Sequence, residues 1–231
     1  MKIGCSTLWL LRHPLDVAVE QLVGLGFDHV EIGFQPGETT PYPVDRATFR
    51  RLEDIIARSA VSLSVHAPWG RIYELTGEAW GEAMVHFRRC FEFARDLEAD
   101  FTVFHYREER SDRLSELFRV AREHDNAVAI EDYDVGYPVV WDVGHAHLRG
   151  ALEQELETIG WRACEVHLHN NFGRTDDHFP LLRGEIDIPA LLARMLRRRF
   201  DGILTLEFEE VASAREVEES MDLVRRVLSG G

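Results

Sequence analysis

Residues 127–147 read AVAIEDYDVGYPVVWDVGHAH. Two short apolar runs, Ala127–Glu131 and Val139–Asp142, each end on an acidic residue, and only Asp132–Pro138 lies between them. Both runs have the continuous apolar character of strands buried on two faces. A parallel crossover ordinarily takes a dozen or more residues and usually a helix. A segment this short, fully extended at about 3.3 Å per residue, spans about 23 Å, enough to return down a short strand. The pair therefore reads as neighbouring parallel strands that have lost the helix between them.

Similar runs recur along the chain at Lys2–Cys5, His29–Gly33, Val61–His66, Phe101–His105, Cys164–His169 and Ile203–Phe208. Amphipathic helical patterns separate them: Pro14–Leu25, Val44–Ser59, Gly77–Leu97, Ser111–His124, Leu148–Ile159, Ile188–Arg199 and Ala214–Leu228. Asp187 followed by Pro189 marks a helix start. Strand–helix alternation with eight strands predicts an α/β fold, a (β/α)8 TIM barrel over residues 1–231 as one domain. The barrel is shortened, with the helix between strands 5 and 6 missing. A doubly wound sheet is the alternative, but no GxGxxG or P-loop follows the first strand. The flank left bare by the missing helix calls for a cover, and a homo-oligomer contact there is expected.

Composition narrows the function classes. Asp plus Glu number 41 against 26 Lys plus Arg, a net charge of −15. Such a balance argues against nucleic acid as partner, because phosphate backbones recruit basic surfaces. Cys5, Cys90 and Cys164 form no CxxC pair, which fits a reduced, cytoplasmic chain. No apolar run is long enough to span a membrane, and the apolar N-terminus reads as a first strand rather than a signal peptide.

Polar residues gather at the strand ends. Successive ends, from the third to the eighth, carry His66, His105, Glu131, Asp142, His167 with His169, and Glu207. In a barrel these ends converge on the face where active sites are built. His167 and His169 are two apart and can share a side of the strand. Asp176 and His178 follow and can reach the same mouth, and His145 follows Asp142 at the sixth strand end. Imidazoles and carboxylates without cysteine suit Zn, Mn, Co or Fe and argue against a thiolate structural zinc site. Glu31 on the second strand either enters the site or pairs structurally. Glu209 and Glu210 read as loop carboxylates, and His147 as part of a solvated helix entry.

With these residues in order, the chain resembles the xylose isomerase-like TIM-barrel superfamily, which includes sugar isomerases, ketose 3-epimerases and endonuclease IV-like enzymes. The carriers are Gly26-Phe27 through Val30-Glu31, His66-Ala67-Pro68-Trp69, Glu131, Asp142-Val143-Gly144-His145-Ala146, His167-Leu168-His169-Asn170-Asn171, Asp176-Asp177-His178, Gly184-Glu185-Ile186-Asp187 and Glu207. The resemblance implies two metal patterns. In the epimerase-like one, Glu131, Asp142, Glu207 and either His167 or His169 hold one divalent ion. In the endonuclease-like one, His66, His105, His145, Asp176 and His178 join them to hold up to three zinc ions. The chain departs from the family at His105-Tyr106-Arg107, where the endonuclease pattern has Pro-Gly after the histidine. It departs again at Leu182-Arg183-Gly184, where a Gly-Glu-Gly is usual.

Three functions follow. The first is a metal-dependent isomerase or epimerase of a small sugar or sugar phosphate, with Glu131 and Glu207 moving protons beside a metal-polarised carbonyl. His145 and Arg174 would hold the substrate, and Trp9, Phe34 and Trp69 would wall the pocket. The second is a multi-zinc phosphodiesterase acting on abasic DNA. The third is a degenerate barrel that only binds a metabolite.

Overall fold

A computed structural model describes residues 1–35, 44–105, 111–134, 136–209 and 212–230. Eight strands close in chain order into a parallel barrel: β1 (Lys2–Ser6), β2 (His29–Gly33), β3 (Ser62–His66), β4 (Phe101–His105), β5 (Val128–Glu131), β6 (Val139–Asp142), β7 (Glu165–Leu168) and β8 (Ile203–Leu206). The outer helices are α1 (Leu15–Gly24), α2 (Arg46–Ser59), α3 (Gly77–Asp96), α4 (Ser111–Glu123), α5 (Val143–Leu148), α6 (Leu152–Thr158), α7 (Ile188–Arg197) and α8 (Ala214–Ser229). Tyr106, Arg107 and Glu210, each weighed in the sequence, lie outside the described residues.

The β5–β6 link is the direct return that the sequence predicts. β6 pairs with β5 in parallel, Ile130 beside Val139 and Glu131 beside Val140, and no described residue between the strands is helical. On the bared flank, Tyr137 stacks on Phe118 of α4 with ring centroids 3.9 Å apart. Asp134 pairs with Arg162 nearby.

One expectation is corrected. The helix expected over Leu148–Ile159 is α6, starting later at Leu152, and a separate α5 precedes it across Arg149-Gly150-Ala151, where Gly150 takes φ +64°. The start of α5 has a local cause. The Asp142 carboxylate ends β6 and accepts the His145 N–H at 2.6 Å, capping a helix that begins on the next residue. The Asp187 cap of α7, with Pro189 in its first turn, is as read from the sequence.

The main core lies between strands and helices, where Leu22, Leu52, Phe91, Phe104, Ile130 and Trp141 are wholly buried. Each such side chain stabilises the fold by about 1.5–3 kcal/mol. Inside the barrel the alternate, inward residues divide by chemistry. Val103, Ala129 and Val140 form a small apolar cluster on β4–β6. His29, Glu31, Ser64, Glu165, His167 and Thr205, all wholly buried, fill the other side with polar groups.

Candidate metal centre

Strand registers set the site. His105 lies beside Glu131, and Asp142 beside His167, so their side chains emerge level at the C-terminal mouth. The β7–α7 connection brings Asp176 and His178 over them. His105, Glu131, Asp176 and His178 line a cavity of about 640 Å³ that also reaches His66, His145 and Glu207.

Three interlocked groups fill this mouth. Glu131 Oε2 lies 3.1 Å from both His66 Nε2 and His105 Nε2. Asp176 Oδ2 lies 3.0 Å from His145 Nε2 and 3.3 Å from His178 Nε2. Glu131 Oε1 joins the two groups through His145 Nδ1 at 3.1 Å. Between them sit Asp142, His167 and Glu207. Several sets, including His66–Glu131–His167, His145–Asp176–His178 and His169–His178–Glu207, bring their ligand atoms within 4.8 Å of one another.

Two backbone carbonyls decide which ring nitrogens face inward. His66 Nδ1 donates to Ala67 O at 2.9 Å, and His178 Nδ1 donates to Glu207 O at 3.1 Å. A carbonyl only accepts, so in each neutral ring Nε2 carries the lone pair. Those lone pairs point at Glu131 and Asp176. The contact is attractive only with a proton or a cation between nitrogen and oxygen. The electrostatics agree. Burial would lower His66, but Glu131, Glu31 and Glu207 outweigh it and raise the imidazole to about 9. Burial likewise opposes charging His178, yet Glu207 and Asp176 raise it to about 10. His105, where burial dominates among neighbouring imidazoles, falls to about 4. Burial pushes the Glu131 carboxyl up, but His105, His145 and His66 together hold it well below the usual range. Glu207 is raised by burial.

His167 and His169 differ in what they face. His167 Nε2 lies 3.1 Å from Glu31, while its buried Nδ1 makes no hydrogen bond and lies 3.4 Å from Glu207 Oε2 and 3.9 Å from Asp142 Oδ2. His169 Nε2 instead meets both oxygens of Asp142, at 3.1 and 3.2 Å. Its ring stacks on His178 with centroids 3.9 Å apart. A buried orphan nitrogen between two carboxylates fits a divalent cation, with Glu131, Asp142, His167 and Glu207 able to hold it.

Several expected substrate contacts are not at the mouth. Trp9 is buried with its indole N–H bonded to Ala212 O at 2.8 Å. Phe34 is buried against Phe93, centroids 5.6 Å apart. Both are buried packing residues. Arg174 is exposed and is not among the residues lining the cavity. Trp69 does line it, edge-on to His66 at 5.5 Å. Glu209 lines it as well, more than a loop carboxylate. His147 is tied to Asn171 at 2.7 Å. Asp132 carries no mark in the sequence, because strand alternation turns the residue after Glu131 away. Its φ of +66° swings it back, so that Oδ1 accepts the Asp142 N–H and Oδ2 lies 3.0 Å from His145 Nδ1. Asp is among the few residues that take this backbone state readily.

Residues 134–227 match the family described as xylose isomerase-like TIM barrel. An uncharacterized protein of Methanocaldococcus jannaschii is 24% identical over 262 residues, spanning 93% of this chain and 86% of its own length. Among solved structures, a D-tagatose 3-epimerase-like protein superposes with a TM-score of 0.79 at 21% identity, covering 99% of this chain and 97% of that one. A Thermus thermophilus protein soaked with zinc chloride gives 0.76 at 22%, covering 100% and 99%. Endonuclease IV from the same organism gives 0.75 at 20%, covering 100% of each chain. At such identities these structures show the fold, not the reaction. The eight strands close into a TIM barrel, and its residues 134–227 are similar to the xylose isomerase-like family.

Proposed function

We propose that the protein is a divalent-metal-dependent isomerase or epimerase of a small sugar or sugar phosphate. The observation that carries this is the placement of Glu131 and Glu207. They line one cavity from β5 and β8, with Asp142 and the orphan Nδ1 of His167 on the two strands between. Glu131, Asp142, His167 and Glu207 would hold the ion, Mn, Zn, Co or Fe. Bound there, it would polarise the substrate carbonyl and the adjacent hydroxyl. Glu207 removes the proton beside that carbonyl, and Glu131 delivers one to the other face. His145 orients substrate hydroxyls, and Trp69 covers the sugar's apolar face. Three free cysteines accord with a cytoplasmic setting. A second copy would cover the β5–β6 flank, where Tyr133 and Tyr137 are 40% and 39% exposed.

A specific observation favours a second reading, a multi-zinc phosphodiesterase. His66 with His105, and His145 with Asp176 and His178, supply two further imidazole–carboxylate groups beside the first. Duplex DNA fits poorly as its substrate. The net charge is −15, and within the basic end of α7, Arg194 and Arg198 are already paired with Glu157. Elemental analysis of tag-free protein purified without added metal separates the readings. A single Mn, Co or Fe per chain supports the isomerase, and two or three Zn support the phosphodiesterase. A chain that neither carries nor takes up metal contradicts both.

A further inference from the structure

Glu31 comes from the middle of β2, wholly buried inside the barrel below the mouth. Its Oε2 accepts a hydrogen bond from His167 Nε2 at 3.1 Å, and its Oε1 has no partner. A carboxylate only accepts, so the proton of a neutral His167 ring sits on Nε2. The lone pair of Nδ1 then faces Glu207 and Asp142.

A second buried carboxylate–imidazole pair lies deeper and differs in its supports. Glu165 accepts from the Thr205 hydroxyl and faces His29 Nε2 at 3.5 Å. His29 in turn reaches the Ser62 hydroxyl at 2.8 Å and the Ser64 hydroxyl at 2.9 Å. That lower pair is tied into the barrel wall. Glu31 has no such ties: among the described residues its one hydrogen bond is to His167. A buried carboxylate with a single bond is expensive for the fold.

We propose that Glu31 is a positioning residue that holds the His167 ring so that Nδ1 is presented to a divalent cation at the mouth. The proposal rests on the metal-dependent reading above. Without the carboxylate, the ring is free to carry its proton on Nδ1 and to turn an N–H into the site. Outer partners of this kind are worth about 10–100-fold in metal affinity.

The test is zinc affinity by chelator competition, with thermal midpoints of the metal-free proteins, for wild type, Glu31→Gln, Glu31→Asp and Glu165→Gln. Glu31→Gln is expected to bind zinc about 10–100-fold more weakly. Glu31→Asp should recover part of the affinity, and Glu165→Gln should lower the midpoint while leaving affinity unchanged. In zinc-loaded wild type, nitrogen-15 NMR should show the His167 proton on Nε2. Wild-type affinity in Glu31→Gln, its failure to fold, or a proton on Nδ1 would each overturn the proposal. Absence of zinc uptake by wild type is a different failure: it removes the metal-dependent reading and this proposal with it.

Discussion

His167 and Glu207 face each other at the barrel mouth, Nδ1 to Oε2 at 3.4 Å, and that nitrogen makes no hydrogen bond. The neighbouring His169 instead spends its Nε2 on both oxygens of Asp142. Under the metal-dependent reading proposed above, His167 offers its lone pair to the ion and His169 aims Asp142 at it. His167→Ala should abolish measurable divalent-metal binding. His169→Ala should weaken it by about 10–100-fold, as loss of an outer partner does. Calorimetric titration with manganese or zinc reads both, and the reverse order would exchange the two roles.

Glu207→Gln keeps the size of the side chain and removes its basicity. Turnover should fall by about 10²–10⁴-fold, the usual contribution of a positioned acid or base, with the barrel still folded. Circular dichroism confirms the fold, and an unchanged rate would remove Glu207 from the chemistry.

His178→Ala separates one metal from several. His178 lies 3.3 Å from Asp176, outside the set of Glu131, Asp142, His167 and Glu207. The variant is expected to keep its metal and to lose substrate affinity. Loss of one zinc per chain in elemental analysis would point instead to the phosphodiesterase.

Gly144 opens the first turn of α5 against the His169 ring. A Cβ there would sit 1.9 Å from His169 Cε1, closer than any real contact. Gly144→Ala is therefore expected to destabilise the fold by about 1–3 kcal/mol and to push His169 off Asp142. Denaturant unfolding and metal titration should both register the change.

Burial raises the thiols of all three cysteines, with Cys164 reaching about 12 and Cys5 and Cys90 higher still. The thiolate is the reactive form, so native protein at about pH 8 should react negligibly with a thiol reagent. Full reaction of all three should appear only on denaturation. Fast labelling of Cys5 or Cys90 in the native chain would contradict their burial.

The barrel is legible in the sequence because its signal is periodic. Apolar runs ending on His, Glu or Asp recur from β3 to β8, and the short Asp132–Pro138 link announces the missing helix. The site's ligand types are legible for the same reason, since strand ends converge wherever a barrel forms. What escapes depends on one backbone angle or one packing direction. Asp132 enters the site only through its φ of +66°. Trp9 and Phe34 read as pocket walls but turn into the core, because an aromatic residue after a strand carries no mark of which way it faces. The choice between His167 and His169 needs the partner of each ring nitrogen, which alternation alone leaves open.

The most direct test of proton transfer between Glu131 and Glu207 is solvent exchange. Metal-loaded protein is incubated in D2O with a panel of ketoses and their phosphates, and NMR follows the carbon beside the carbonyl. Catalysis by these carboxylates predicts deuterium at that carbon with wild type and none with Glu207→Gln. Metal-replete protein that exchanges no such proton, and instead cleaves a phosphodiester, would contradict it.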